Sequence, residues 1–171
     1  MSCNVTLMGI ALDCGTNLSG IKAIYLANDA SVGGVTLTVG EISAIDASAG
    51  SFYEYIPAKY TGSLTKTLTK DETTGVMYYT NEVVAQFNKM ETPKRKELSN
   101  IDRGRFKAIV LDNNNKYWYL GYDNYVSASA VTGQTGAGLD EGNFYTLTLT
   151  DISAELPYEV QSEAIANIIA K

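Results

Sequence analysis

The chain has 171 residues, 45% of them hydrophobic and 19% charged, which is typical of one folded domain and excludes a disordered or collagen-like chain. It contains no histidine, so acid–base, nucleophilic and metal chemistry that depends on imidazole is excluded. The net charge of −6 argues against a dedicated nucleic-acid-binding protein, because phosphate contacts need clustered Lys and Arg.

The N-terminal region carries both cysteines, Cys3 and Cys14. Two cysteines are too few for a disulfide framework or a structural zinc site, so both are predicted to be plain thiols. Residues 7–12 are apolar, but no basic residue precedes them and Asp13 occupies the position of a small cleavage-site residue. We therefore predict no signal peptide and no membrane span, and expect a soluble protein made in a reducing cytoplasm.

Strands dominate the predicted secondary structure. The 17 threonines and 12 tyrosines favour strands with one wet face. Residues 21–26 form a short apolar run and residues 35–39 alternate Val or Leu with Thr, which predicts two strands separated by a turn-rich segment at 28–34. A further strand is predicted at residues 52–56, ending at Pro57.

Residues 62–88 predict a long hairpin. Its first arm, residues 63–69, alternates Leu or Lys with Ser and Thr, residues 71–75 supply turn residues, and residues 76–87 return as an apolar-rich strand. The first arm is too polar for a core strand and too regular for a loop. Because long exposed strand edges are avoided unless a partner covers them, this arm predicts an intersubunit contact.

A short helix is predicted after this hairpin. Thr92 is a candidate N-cap before Pro93, Leu98 and Ile101 would share the inner face, and Gly104 would end the helix. Residues 92–107 also hold six bases and two acids, a local charge of +4 against −10 elsewhere. Such a basic patch suits self-complementary assembly, and a solvated helix face explains it equally well. The bases are Lys94, Arg95, Lys96, Arg103, Arg105 and Lys107.

The C-terminal half continues the β pattern. Residues 106–111 and 117–122 predict two strands around an Asn-rich turn, residues 127–142 a long Gly-rich loop, and residues 144–149 a last strand. Apolar residues recur at helical spacing from Val160 to Ile169, which predicts a short amphipathic helix that packs on its own domain or on a neighbour. We divide the chain into a β domain, 1–156, and a tail or helix, 157–171.

No motif predicts catalysis or a cofactor. The Gly-rich run 133–138 follows no apolar strand, opens no helix and lacks a Walker lysine, and Asp112 begins a run that fails the calcium-loop pattern at Lys116 and Tyr117. The acid pairs Asp71 with Glu72 and Asp140 with Glu141 lie in turn-like segments with nothing apolar around them to raise a pKa. We predict no enzyme, no metal and no cofactor, and a carboxylate hydrolase is the weakest alternative.

Three stretches carry a family resemblance. They are residues 20–26 (GIKAIYL), residues 61–65 (TGSLT) at the start of the hairpin, and residues 105–121 with the later run 145–149 (YTLTL). With these stretches, residues 20–160 resemble the tail tube and tube-like ring proteins of tailed bacteriophages. The resemblance implies a β-sandwich or open barrel flanked by a helix, and subunits joined into six- or twelve-fold rings. Such rings stack around a channel for double-stranded DNA.

We expect a mainly β fold: a sandwich or open barrel with a long hairpin, one flanking helix and a short C-terminal helix. The expected function is that of a structural virion protein whose partners are its own copies, adjacent rings, portal or tail proteins, and DNA passing without specific binding. The alternative is a β-sandwich binding module that recognises protein, or carbohydrate through Tyr117, Trp118 and Tyr125. The candidate intersubunit residues are Leu64, Lys66, Leu68, Asp71, Glu72, Val76 and Tyr78.

Overall fold

Eleven strands and two helices are present in the computed structural model, which describes residues 7–170. Cys3 and Lys171 lie outside the described residues. The strands are β1 Ile21–Asn28, β2 Val32–Thr38, β3 Glu41–Ala47, β4 Tyr53–Tyr55, β5 Ser63–Asp71, β6 Val76–Asn88, β7 Phe106–Asp112, β8 Tyr117–Leu120, β9 Ser127–Gln134, β10 Phe144–Ser153 and β11 Tyr158–Val160. The helices are α1 Thr92–Ile101 and α2 Ser162–Ile165, and a single 3₁₀ turn, Asp29–Ser31, joins β1 to β2. The prediction of a mainly β fold is confirmed.

The larger sheet has seven strands in the order β2-β3-β11-β8-β7-β1-β4. Its central strands β1 and β7 are antiparallel, with Ile24 opposite Val110 and Tyr25 opposite Ile109. Both strands are apolar on both faces, because both faces of this sheet are covered. The predicted strands at 21–26, 52–56, 106–111 and 117–122 all fall in this sheet, although β8 ends at Leu120.

The smaller sheet has four antiparallel strands in the order β5-β6-β10-β9. β5 and β6 form the predicted long hairpin, with Ser63 opposite Val84 and Asp71 opposite Val76. β5 pairs only with β6, so the prediction that the first arm is an edge strand is confirmed. β9 is the opposite edge and pairs only with β10.

The two sheets pack face to face around the first of two apolar clusters. Val83, Ala85, Leu147 and Leu149 of the small sheet meet one face of β1, β7 and β8. Helix α1 closes the end of this cluster with the buried Leu98 and Ile101, as its spacing predicted. The N-cap is Glu91 rather than Thr92, because the helical backbone already begins at Thr92.

The second cluster lies on the other face of the seven-stranded sheet. It joins β1, β7 and β8 to β2 and β3 at the far end of the sheet order, so the sheet curls around it. Ile165 and Ile168, from α2 and the turn that follows it, complete the cluster, and Ile169 forms a bridge with Phe52. The C-terminal helix therefore packs on its own domain and is shorter than the apolar spacing predicted.

Two predicted boundaries near β2 are wrong. β2 begins at Val32, within the segment predicted as a turn, and β3 was not predicted at all. Only Ile42 and Ile45 of β3 are buried, and their spacing of three residues is not that of a strand. The turn between β2 and β3 places Val39 at φ 54° and Gly40 at φ 84°. Because Val rarely adopts positive φ, the residue types at this turn did not predict a hairpin.

The predicted loop at residues 127–142 is also wrong in its first half. Residues 127–134 are β9, and β10 continues four residues past the predicted strand, to Ser153. β9 consists of small and polar residues, so it has no apolar alternation of its own. Pairing with β10 supplies its hydrogen bonds, with a register shift between Thr148 and Leu149.

Candidate functional site

The seven predicted intersubunit residues all lie on the β5–β6 hairpin and its turn, but on two faces. Cross-strand partners in an antiparallel sheet share a face, and Leu64 faces Val83 of the first cluster. Leu64, Lys66 and Leu68 therefore lie on the face turned toward the larger sheet, whereas Asp71, Val76 and Tyr78 lie on the opposite face. Glu72 belongs to the turn.

The outer part of the hairpin extends beyond the rest of the sheet. β10 pairs with β6 only as far as Tyr79, the partner of Ser153, so residues 69–78 pair only with each other. Apolar side chains in this arm are largely exposed: Leu68 is 47%, Val76 49% and Met77 56% exposed. We call residues 69–78 the arm tip.

A network of side-chain and backbone hydrogen bonds fixes the turn of the arm tip. The Asp71 carboxylate accepts hydrogen bonds from Thr73 N at 2.8 Å and from Thr74 Oγ1 at 2.8 Å. These bonds hold the pKa of Asp71 below its ordinary value, and Gly75 at φ 72° completes the reversal. Asp71 and Glu72 are thus turn residues, and Lys70 pairs with Glu72 at 3.1 Å.

At its base, a lysine of the hairpin also contacts the larger sheet. Lys66 Nζ lies 3.6 Å from the centre of the Trp118 ring, and Trp118 Nε1 donates to Asp112 Oδ2 at 3.0 Å. Burial lowers the pKa of Lys66, and the charge of Asp112 opposes that shift. A cation held over an indole ring in a half-buried site stabilises the junction between arm and body.

We expect Lys66→Met to destabilise the protein by about 0.5–1 kcal/mol, because it removes the cation from Trp118 but keeps the aliphatic chain. Trp118 is the only tryptophan, so its emission spectrum should shift in the same variant. Lys70→Met is the control, because Lys70 lies on the same face but out beside the turn. Equal urea midpoints for the two variants would contradict the assignment.

A buried polar cluster lies where the arm joins the smaller sheet. Asn81 Nδ2 donates to Asp151 Oδ2 at 3.1 Å and to Ser153 Oγ at 3.0 Å, while Asn81 Oδ1 and Asp151 Oδ1 have no partner among the described residues. Burial raises the pKa of the Asp151 carboxyl, and hydrogen bonds from the Gly121 backbone and Asn81 partly oppose this. The charged carboxylate is therefore unfavourable in the folded protein.

We expect Asp151→Asn to stabilise the protein at neutral pH by about 1 kcal/mol, because the amide keeps an acceptor and carries no charge. A raised pKa means that the carboxyl contributes stability below its ordinary pKa of 3.8, and that this contribution is lost as pH rises through the folded value. Urea unfolding from about pH 4 to about pH 8 should show a shallower loss in this variant. Asp140→Asn, in an exposed loop, is the control, and an unchanged slope in Asp151→Asn would contradict the prediction.

The smaller sheet has two unpaired edges whose strand directions are compatible. Each neighbouring pair in the order β5-β6-β10-β9 is antiparallel, so β5 and β9 run in opposite directions. If β9 of one copy pairs with β5 of the next, the antiparallel alternation continues without interruption. β9 was not among the predicted interface elements, because residues 127–134 carry no strand signal.

The face of the smaller sheet that points away from the larger sheet lacks bases and carries mostly hydroxyl and amide side chains, and its larger apolar members are Val76, Tyr78, Val84, Phe144 and Ile152. Residues paired with Val84 or two positions away share this face, and none of them belongs to either apolar cluster. Its only charged groups within the four strands are Asp71 and the exposed Glu82. Eight threonines lie on it: Thr65, Thr67, Thr69, Thr80, Thr132, Thr146, Thr148 and Thr150. We call this surface the threonine face.

The structure does not bring together the aromatic residues of the alternative carbohydrate site. Tyr117 packs against the second cluster, whereas Trp118, on the other face of β8, packs against the first. Tyr125 lies under Arg105, whose guanidinium carbon is 4.6 Å from its ring centre. The three rings therefore form no common stacking surface.

Two lysines of the basic segment make local contacts. Lys94 Nζ donates to the Asn88 carbonyl at 2.7 Å and pairs with Glu91 at 3.4 Å. Lys107 pairs with Asp29 at 3.1 Å and donates to two carbonyls of the loop after β8. These lysines stabilise the loops around them.

The remaining candidates have structural explanations. A Cβ on Gly133 would lie 2.9 Å from Tyr145, so this glycine allows close packing within β9. Glu141 accepts a hydrogen bond from the Ala137 backbone at 2.5 Å, and such bonds lower its pKa. Among residues 7–170, no group of three or more Cys, Asp or Glu is placed to hold a metal ion, and no helix is long and apolar enough to cross a membrane.

Comparison with known proteins gives no relative: no family model, no curated protein and no solved structure matches the chain.

Proposed function

We propose that the chain is a non-enzymatic structural protein of a bacteriophage virion, which assembles head to tail into a ring around a channel for double-stranded DNA. The resemblance of residues 20–160 to tail tube and tube-like ring proteins supports the class. The observation that carries the proposal is the smaller sheet, with two unpaired edges of opposite direction on either side of an even number of strands.

A heterologous contact between two different edges closes into a ring when the rotation per copy divides a full turn. Pairing β9 of one copy with β5 of the next would leave no unpaired edge in the closed barrel. The arm tip would extend beyond the end of each sheet, where an adjacent ring, a portal or another tail protein meets it. The predicted interface residues Val76 and Tyr78 of the arm tip, with Leu68 next to it, would then serve contacts between neighbouring assemblies.

The threonine face would line the channel, because the larger sheet covers the other face. Its charged groups are acidic, so phosphates of passing DNA find no cation to bind. Hydroxyl groups remain well hydrated and add no apolar adhesion. This surface therefore suits passage rather than binding.

The number of strands per copy relates the diameter of the ring to the number of copies in it. With four strands per copy at ~4.8 Å per strand, a barrel of six copies would be about 37 Å in diameter and one of twelve copies about 73 Å. Strand tilt would widen both barrels. A channel that surrounds one DNA duplex closely favours six. Twelve copies would suit a wider ring nearer a portal.

Negative-stain electron microscopy over a concentration series, paired with light scattering, tests the proposal. We expect rings or short stacks of uniform diameter whose mass rises in multiples of six or twelve chains. A single monomeric species at every concentration would contradict self-assembly. Backbone amides of β5 and β9 that are protected from hydrogen exchange in the assembled fraction, but not in free chains, would support the edge pairing.

A further inference from the structure

An apolar segment near the N-terminus lacks a partner in the single chain. Leu7, Met8, Ile10 and Leu12 are 89%, 87%, 100% and 93% exposed. No backbone group of residues 7–16 bonds to another described backbone group. Large apolar side chains this closely spaced mark a surface that another molecule covers.

The segment is fixed where it leaves the body of the protein. Asn114 donates from Nδ2 to the Leu18 carbonyl at 3.0 Å and accepts from Leu18 N at 2.8 Å. The same amide donates to Asn17 Oδ1 at 3.1 Å. From this anchor, residues 7–17 can reach about 35 Å when extended, which is enough to span the gap to a neighbouring copy.

A groove of about 650 Å³ lies beside the anchor. Its apolar lining is formed by Leu18, Ile21, Ile56, Pro57 and Tyr60. Ile56 is 66% and Tyr60 82% exposed, and Tyr60 has φ 64°, a conformation that bulky residues rarely adopt. The groove is therefore apolar, open and bordered by a residue whose backbone is strained.

The charges of the groove and of the segment are complementary. Lys22 and Lys59 line the groove, and neither pairs with a carboxylate among residues 7–170. Asp13 is the only charged residue between positions 7 and 19. An apolar stretch followed by one acid matches an apolar groove with two bases at its side.

We propose that residues 7–12 of one copy dock in this groove on a second copy, with Asp13 beside Lys59. In the single chain residues 7–12 are exposed and do not line their own groove, so the groove is open to a segment from outside. An adjoining pocket that shares Leu18, Ser19 and Ile21 is bounded by Ser63 and Leu64 of β5, the edge where the ring places a neighbour. The proposal deepens the proposed function and rests on self-association, but not on the pairing of β9 with β5.

Disulfide trapping tests this contact. Cys14 is a free, exposed thiol next to Asp13, and Lys59→Cys would place a second thiol at the groove. Cys3→Ser removes the other cysteine. On oxidation with oxidised glutathione, docking between copies should form covalent dimers and longer ladders about a hundredfold faster than Leu139→Cys, a control in an exposed loop.

Each other outcome of this experiment is informative. An intramolecular disulfide, seen as monomer on a non-reducing gel, would overturn docking between copies in favour of docking within one chain. A rate equal to that of the Leu139→Cys control would overturn the groove as the docking site. Ile10→Ser together with Leu12→Ser should abolish the fast reaction, and a fast reaction in that variant would also overturn the proposal.

The same trapping in a protein whose β5 edge is blocked by proline separates this contact from the ring. We expect fast trapping to persist there, although rings do not form. Loss of trapping together with rings would overturn the claim that the groove contact is independent of edge pairing. Rings without fast trapping in the unblocked protein would leave the proposed function intact and remove this inference alone.

Discussion

Proline introduced at Thr67 or at Leu68 is expected to abolish ring formation. Successive residues of an antiparallel edge strand point their backbone N–H groups alternately toward the paired strand and toward the open edge. One of the two prolines therefore removes a donor available only to a neighbour, and the other instead breaks a β5–β6 hydrogen bond and so distorts the same edge strand. Both should leave a monomer by light scattering at concentrations where the native chain forms rings.

The pair of variants contains its own control for folding. The proline at the position whose N–H points to the open edge should leave the thermal midpoint within a few degrees of the native value. The proline at the position whose N–H points to β6 should lower the midpoint, because a lost ladder hydrogen bond costs about 1 kcal/mol or more. Leu139→Pro, in the loop after β9, is a further control that should still form rings, because the exposed Leu139 donates no backbone hydrogen bond to the described residues. Rings in the variant with native stability would contradict β5 as the pairing edge.

In the proposed ring, Glu82→Lys is expected to make the channel retain DNA. Glu82 lies at the centre of the threonine face, opposite Thr65 on β5 and Thr150 on β10. A closed ring repeats the new lysine once per copy, so several phosphates of one duplex meet a cation at the same height. With about six such contacts, DNA affinity should fall about 10³-fold between roughly 50 and 200 mM salt.

The measurement is the retention of short duplex DNA by assembled rings at several salt concentrations. Native rings should retain no duplex at physiological salt. Glu163→Lys is the matched control, because it makes the same charge change at an exposed position on α2, outside the smaller sheet. Equal retention of DNA by both variants would contradict the proposal that the threonine face lines the channel.

Most of the strands that were predicted correctly carry a clear local pattern in the sequence. β1 and β7 are apolar on both faces because both sides of their sheet are covered, and this burial leaves a direct mark on composition. The β5–β6 hairpin was predicted because its turn contains Asp71 and Gly75, which have specific conformational roles. Helix α1 was predicted from Pro93 and from the spacing of Leu98 and Ile101.

The missed elements depend on contacts with distant parts of the chain. β9 has small residues whose strand conformation comes from hydrogen bonds to β10, and β3 buries only Ile42 and Ile45. The C-terminal helix was overestimated because Ile165 and Ile168 are also spaced to fill the second cluster from a turn.

The sequence predicted only part of the candidate site, because the rest of the site also depends on contacts between distant parts of the chain. The hairpin half is local, so Leu64, Lys66 and Leu68 were identified as strand residues with an exposed edge. The threonine face combines strands that lie up to about 90 residues apart, and its membership follows from the register of β10 on β6. Residue types alone do not reveal that Glu82 and Thr150 share a surface.

In the proposed assembly, the arm tip would affect how fast the first rings form. Residues 69–78 pair only with each other and contact neither apolar cluster, so an isolated two-stranded segment of this kind is marginally stable. Ordering it on association would cost conformational entropy, and the favourable contacts that offset this cost would form only as further copies join. In the proposed assembly, growth would therefore require a nucleus: free chains would persist below a threshold concentration, and rings would form after a lag above it.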